Sequence, residues 1–175
     1  MKSVRLTAGI LFYLARTGAL LIFVIAMYAT VVIVLSHYST ATWLPIQIEG
    51  NHFTIFYPFT KAPFLLGDYT ASYLVPNLAI VVFYGLFLWL LSDVFHAFKQ
   101  QKLFTAKGVA QLSRFYITNL VVPFLFLILF LVFKNEMSDL IRIIFLHTVI
   151  GVFAFFMAAI FKQGVALQEE QDLTF

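Results

Sequence analysis

The sequence predicts an all-α membrane protein, a four-transmembrane-helix bundle with a small extracytoplasmic β-hairpin in the loop between spans 1 and 2. Three observations carry that prediction. Hydrophobic residues make up 62% of the 175 and charged residues 11%, with 22 Phe, so a soluble domain of this length could not hide its apolar surface. The apolar residues gather in four blocks, each long enough to supply the roughly 20 residues that cross a hydrocarbon core. The first two blocks are separated by the one large polar excursion, where side-chain types alternate on either side of Glu49-Gly50-Asn51.

Direction is set by the segment 97–114, AFKQQKLFTAKGVAQLSR, which holds Lys99, Lys102, Lys107 and Arg114, the densest cluster of positive charge in the chain. Short loops rich in Lys and Arg are retained on the cytoplasmic side. With that loop inside, Lys2, Arg5 and Lys162 fall inside as well. Lys61 and Lys134 fall outside, with Arg142 just within an outer helix end. Both termini are therefore expected in the cytoplasm, and the chain in a membrane as a single multi-pass domain, 1–175. The basic residues sit at span ends and form no stripe, so direct nucleic-acid binding is not expected. The absence of cysteine excludes disulfides, thiolate metal sites and cysteine catalysis.

Taken in order, the first span covers about residues 6–36. Its basic start could suggest a signal peptide, but the apolar run exceeds an h-region of about 7–15 residues, so it reads as a retained signal anchor. Arg16 falls near the inner headgroup level, where a long side chain can snorkel. In the outer loop, 37–74, segments 43–48 and 52–57 read as the two strands of the hairpin, because Gly50 and Asn51 tolerate positive φ. Pro45 suits an edge position. The following YPFTKAPFLLGDYTASYL, with Pro58, Pro63 and Gly67, is expected to lie across the membrane surface with its rings at the interface. A lone hairpin is marginal and must lean on lipid or on the span ends.

The second span, about 75–96, places Pro76 in its first helical turn. The cytoplasmic loop 97–114 contains Thr105 as a helix N-cap ahead of Val109, Leu112 and Phe115 at helical spacing. The third span, about 115–133, carries Pro123 as an expected kink. A short outer turn, 134–139, leads to the fourth span, about 140–161, and to a cytoplasmic tail, 162–175. No internal repeat is present.

Intramembrane polar residues are candidates for function by default. They are Arg16, Asp93, Asn119 and His147. Arg16 and Asp93 read either as a gating pair or, with more weight, as a structural salt bridge or two solvated interfacial charges. For His147, no acidic residue at similar depth offers a relay, which favours a neutral imidazole bonded to Tyr, Thr or Asn on a neighbouring helix. Asn77, Tyr116, Thr118 and Asn119 either line a polar cavity or bond between helices. His37, His52, Glu49 and Asp68 lack the short spacing of a metal site. No HExxH, GxSxG, P-loop or dinucleotide motif appears, so no catalytic, cofactor-binding or metal-binding residue is expected and the chain reads as non-enzymatic.

The cytoplasmic elements offer partner-binding candidates: Lys99, Lys102, Phe104, Thr105 and Lys107 on the loop, with Glu169, Glu170, Asp172 and Leu173 on the tail. Their opposite charge on one membrane side predicts mutual contact, weak by ion pairing alone. Apolar Leu167, Leu173 and Phe175 would supply further adhesion.

The loop segment KLFTAKGVAQL and the ending GVALQEEQDLTF resemble the loop and terminal motifs of the DUF2975 membrane proteins, which share the four-span layout. Where members often carry Pro before the Phe and Asn in the loop, this chain has Leu103 and Lys107 or Gly108. The resemblance implies a bacterial inner-membrane protein encoded beside a small helix-turn-helix regulator, which it would hold or control. The leading expectation is thus a regulator or sensor in the lipid bilayer whose loop and tail bind a soluble partner such as that regulator. The alternatives are a carrier or sensor of a small apolar or lipid-like ligand in the bundle, and a structural subunit of a larger membrane complex.

Overall fold

The computed structural model describes residues 2–39, 43–133 and 138–172. In chain order the elements are α1 (Lys2–Tyr38), β1 (Ile46–Glu49), β2 (His52–Phe56), β3 (Pro63–Asp68), α2 (Ala71–Lys99), α3 (Ala106–Phe133) and α4 (Ser138–Asp172). All four helices are long and apolar enough to cross a membrane. The shortest, 28 residues, spans about 42 Å at 1.5 Å per residue, against a hydrocarbon core of about 30 Å.

The helices form two hairpins, α1 on α2 and α3 on α4, joined where α2 packs on α3. Small residues make the first seam: α1 buries Ala8, Ala15, Ala19, Ala26 and Ala29 with Val32. In lipid no hydrophobic force drives helices together, so close approach through small side chains supplies the van der Waals contact. Gly85 of α2 shows how tight that seam is, since a Cβ there would lie 2.8 Å from the Phe23 ring. In the second hairpin α3 buries Gly108, Leu112, Phe115, Asn119, Pro123, Phe126 and Phe130. Facing it, α4 buries Leu140, His147, Gly151, Ala154, Ala158, Phe161 and Gly164. Steps of three and four residues over most of both stripes give a narrow coiled-coil-like seam. Outside the seams the helices stay apolar and uncovered, with Phe145 70% and Phe153 69% exposed, a surface suited to lipid and not to water.

The excursion between α1 and α2 differs from its expected form. The hairpin exists, with Glu49 opposite His52 and Gly50 at φ 59°, but a third strand joins it in the order β1-β2-β3. The segment expected to lie along the membrane surface supplies β3, pairing antiparallel with β2. Pro63 opens that edge strand, where a missing N–H costs no ladder bond. Gly67 is required there because the Tyr73 ring sits where its Cβ would be, 2.3 Å away. Along β2, Phe53 and Ile55 turn inward onto Ala29 and Val32 of α1. Tyr28 Oη donates to the Phe56 carbonyl at 2.6 Å, and Tyr69 Oη meets Ser36 Oγ at 3.1 Å. The sheet thus leans on the end of α1.

Helix boundaries also move. α2 begins at Ala71 because the Thr70 carbonyl accepts the N–H groups of Tyr73 and Leu74, so Pro76 lies inside the helix and not in its first turn. The loop expected over 97–114 contracts to residues 100–105, since its flanks extend α2 and α3. α3 is one helix through Pro123, and α4 carries most of the expected tail as helix to Asp172. Residues 134–137 of the expected outer turn lie outside the described residues.

Candidate functional site

Arg5, whose Nη2 donates to the Gln101 carbonyl at 2.9 Å, brings the start of α1 to the 100–105 connection. The last turns of α4 arrive at the same end, where Phe104 meets Gly164. The N-terminal start, the α2–α3 connection and the C-terminal extension therefore share one end of the bundle, and the sheet occupies the other.

At the terminal end Arg16 and Asp93 form an ion pair between α1 and α2, with side chains 21% and 25% exposed. The guanidinium also lies 3.7 Å from the centroid of the Trp89 ring, so its charge is held both by the carboxylate and by the π face. This pair lines a cleft of about 440 Å³ walled by α1, α2 and α3. Lys107, Gln111 and Arg114 enter it from one face of α3, and His96 from α2. A second recess of about 540 Å³ adjoins it through His96, Lys107 and Gln111, and reaches Lys102 and Thr105 at the connection. Asp93 is the one carboxylate in the cleft and is already engaged by Arg16. Neither Lys107 nor Arg114 has an acidic partner among the described residues. The cleft is therefore net positive.

Thr105 caps α3: its Oγ1 accepts the Gly108 N–H at 3.0 Å. Phe104 beside it packs edge-on against Phe161 at 5.4 Å between centroids, over Gly164, where a Cβ would lie 2.4 Å from the ring. The connection and α4 are thus joined by an aromatic contact. The expected charge contact is absent among the described residues. Lys99 instead turns to α1, its Nζ 3.4 Å from Tyr13 Oη and 4.7 Å from that ring's centroid, and Lys102 and Lys107 meet no described carboxylate. Glu169 and Glu170 lie exposed beyond the Phe104 contact. The Asp172 side chain and Leu173 lie outside the described residues.

Midway along the second hairpin, Asn119 and His147 meet between α3 and α4, both 1% exposed. Asn119 Nδ2 donates to the Phe115 carbonyl at 2.8 Å, which turns Oδ1 toward His147 Nδ1 at 2.7 Å. An acceptor oxygen requires the proton on Nδ1, which in a neutral imidazole leaves Nε2 bare. Its Nε2 has no hydrogen-bond partner among the described residues, and the imidazole packs edge-on against Phe83 and Phe87, with ring centroids 4.7 and 5.1 Å away. Of the other polar residues weighed, Asn77 turns back on its own helix, donating to the Tyr73 carbonyl at 2.8 Å. On the sheet, His52 Nδ1 pairs with Asp68 Oδ1 at 2.8 Å across β2 and β3. Among the described residues no group of three or more His, Asp or Glu gathers as metal ligands.

Sequence reasoning paired Arg16 with Asp93 and set Lys107 apart on the loop, and missed the convergence of Lys107 and Arg114 on that pair. The signal was present: Phe12 and Arg16 are four apart, and Lys107, Gln111 and Arg114 recur on one helical face. Trp89 was missed because a ring in an apolar span carries no mark of the cation above it. No protein family, curated protein or solved structure matches the chain.

Proposed function

We propose that the chain is a non-enzymatic regulator of a bacterial inner membrane, its termini and 100–105 connection in the cytoplasm, where the connection and the α4 extension form one platform for a soluble partner. The observation that carries this reading is the Phe104 ring seated on Gly164, which fixes the connection to the extension. Lys102 and Lys107 lie on one side of that contact with their charge unpaired by described residues, and Glu169 lies on the other. The charge bias of the terminal end supports the orientation. The motif resemblance supports a small helix-turn-helix regulator as the partner.

Co-expression with such a regulator and purification in mild detergent tests the proposal. The intact chain should retain the regulator, whereas Gly164→Leu, which forces Phe104 out of its seat, and deletion of 168–175 should each release it. Unchanged retention by both variants would overturn the platform. For orientation, Gln100→Cys and Gln171→Cys should resist a membrane-impermeant thiol reagent in intact cells while Asn51→Cys reacts. Labelling at Gln100→Cys would reverse the orientation.

A second reading, a carrier or sensor of a lipid-like ligand, is favoured by an apolar cleft of about 490 Å³ between α1 and α2 at the sheet end, lined by Ile33, Val34, Leu74 and Leu78. Solvent extraction of the purified chain should then yield a stoichiometric apolar molecule that Leu74→Trp excludes.

A further inference from the structure

We infer that the basic cleft between α1, α2 and α3 binds a phosphate-bearing anion, with the headgroup of an anionic lipid as the source that its surroundings fit. The first support is depth. Arg16 is followed, Asp93 preceded and Arg114 followed by roughly 20 residues without a charged side chain, the length that crosses a hydrocarbon core. Three helices thus bring their boundary charges to one level and into one recess. Interfacial cations that merely snorkel point outward, each to its own patch of headgroups. Here Lys107 and Arg114 converge from α3 on the Arg16–Asp93 pair, with His96 and Gln111 lining the same cleft as hydrogen-bonding groups.

The second support is charge. The Asp93 carboxylate is neutralised by Arg16, so Lys107 and Arg114 face the recess uncompensated among the described residues, and Lys102 adds to them at the adjoining mouth. Guanidinium and ammonium groups at such spacing suit the oxygens of a phosphate, the Arg by paired N–H donation and the Lys as a point charge.

The third support is where the cleft opens. α4 occupies the face of α2 that carries Val94 and Ala97, and contributes nothing to the cleft. The flank over Asp93 and His96 is therefore left without a fourth helix. Helical spacing continues that face down the bundle from Lys107 and Arg114 to Val121 and Leu125, and from Phe12 and Arg16 to Leu20. Val121, Leu125 and Leu20 are each about half exposed. A phosphate held in the cleft would have a bare apolar stripe beneath it for acyl chains, which a free phosphate does not need.

The test uses the full chain, purified in detergent, stripped of lipid and free of any soluble partner, so its outcome is separate from that of the platform proposal. Titration with phosphatidylglycerol or phosphatidylcholine, read by native mass spectrometry, should show saturable binding of the first and at least about tenfold weaker binding of the second, as expected for a net charge recognised near a membrane surface. The double variant K107Q/R114Q should weaken phosphatidylglycerol about thirtyfold, each charge being worth about fivefold there. Lys162→Gln, at the same end outside the cleft, should leave it unchanged. The charge-preserving K107R/R114K should keep binding, which separates lost charge from lost folding. Millimolar inorganic phosphate identifies the source. Failure to displace the lipid confirms the headgroup, and full displacement with phosphate binding alone confirms the anion site but assigns it to a soluble ligand. Equal binding of the two lipids, or wild-type phosphatidylglycerol affinity in K107Q/R114Q with native circular dichroism, would overturn the inference.

Discussion

The α1–α2 hairpin is clamped by Arg16 and Asp93, the α3–α4 hairpin by Asn119 and His147, and the two clamps differ in kind. The first is ionic, a fifth to a quarter exposed, and lies at the terminal end beside a polar cleft. The second is neutral, closed to solvent and ringed by Phe side chains midway along its helices. Depth explains the difference. A charge removed from polar surroundings costs several kcal/mol unless fully compensated, whereas a neutral pair needs only one well-made hydrogen bond. The ionic clamp stays where its charges can also meet other groups, and the neutral clamp serves packing.

That comparison can be broken most severely at Asn119. Asn119→Leu leaves the Nδ1–H of His147 buried without an acceptor and should lower stability by about 2 kcal/mol. Asn119→Leu with His147→Phe removes both halves and should recover most of the loss, as read by denaturant titration in mixed micelles. Equal destabilisation of the single and double variants would show that the pair matters for shape and not for its hydrogen bond. At the other clamp, Asp93→Asn should cost about 1 kcal/mol, and the difference should shrink as salt is added. A salt-independent loss larger than that at Asn119 would invert the ranking of the two. The smallest change is expected from Trp89→Phe, which keeps an aromatic surface but weakens the attraction for the Arg16 guanidinium by about 0.5 kcal/mol in the same assay.

Where residues act through composition, the sequence was legible. Four apolar blocks foretold four helices, and Gly50 at a turn between alternating segments foretold the β1–β2 hairpin. The third strand was not legible, because Pro58, Pro63 and Gly67 look like breakers until an edge position and the Tyr73 ring explain two of them. Within the polar stretch 97–114 the Thr105 cap and the spacing of Val109, Leu112 and Phe115 foretold the start of a helix, whereas its continuity with the third span and the extension of α2 to Lys99 were not legible from polarity. The residues of both clamps were legible as candidates from their depth, and Arg16 and Asp93 also as a pair. Which groups they would meet was narrowed by chemistry for His147, as Tyr, Thr or Asn. The cleft depends on α1, α2 and α3 meeting at one level, a relation between distant segments that local pattern does not encode.

His147 has one more consequence, for how α4 finds its orientation. A helix at a water boundary is turned by its own amphipathicity, apolar side in and polar side out. α4 has no such guide, since from Ile143 to Phe161 its one ionisable side chain is His147 and nearly every other side chain is apolar. A turn of one residue about its axis would offer Leu146 or Thr148 to Asn119 and leave the imidazole facing hydrocarbon. The single histidine therefore works as an index mark, as a lone polar residue does in a coiled coil, and tells an otherwise uniform cylinder which way to face.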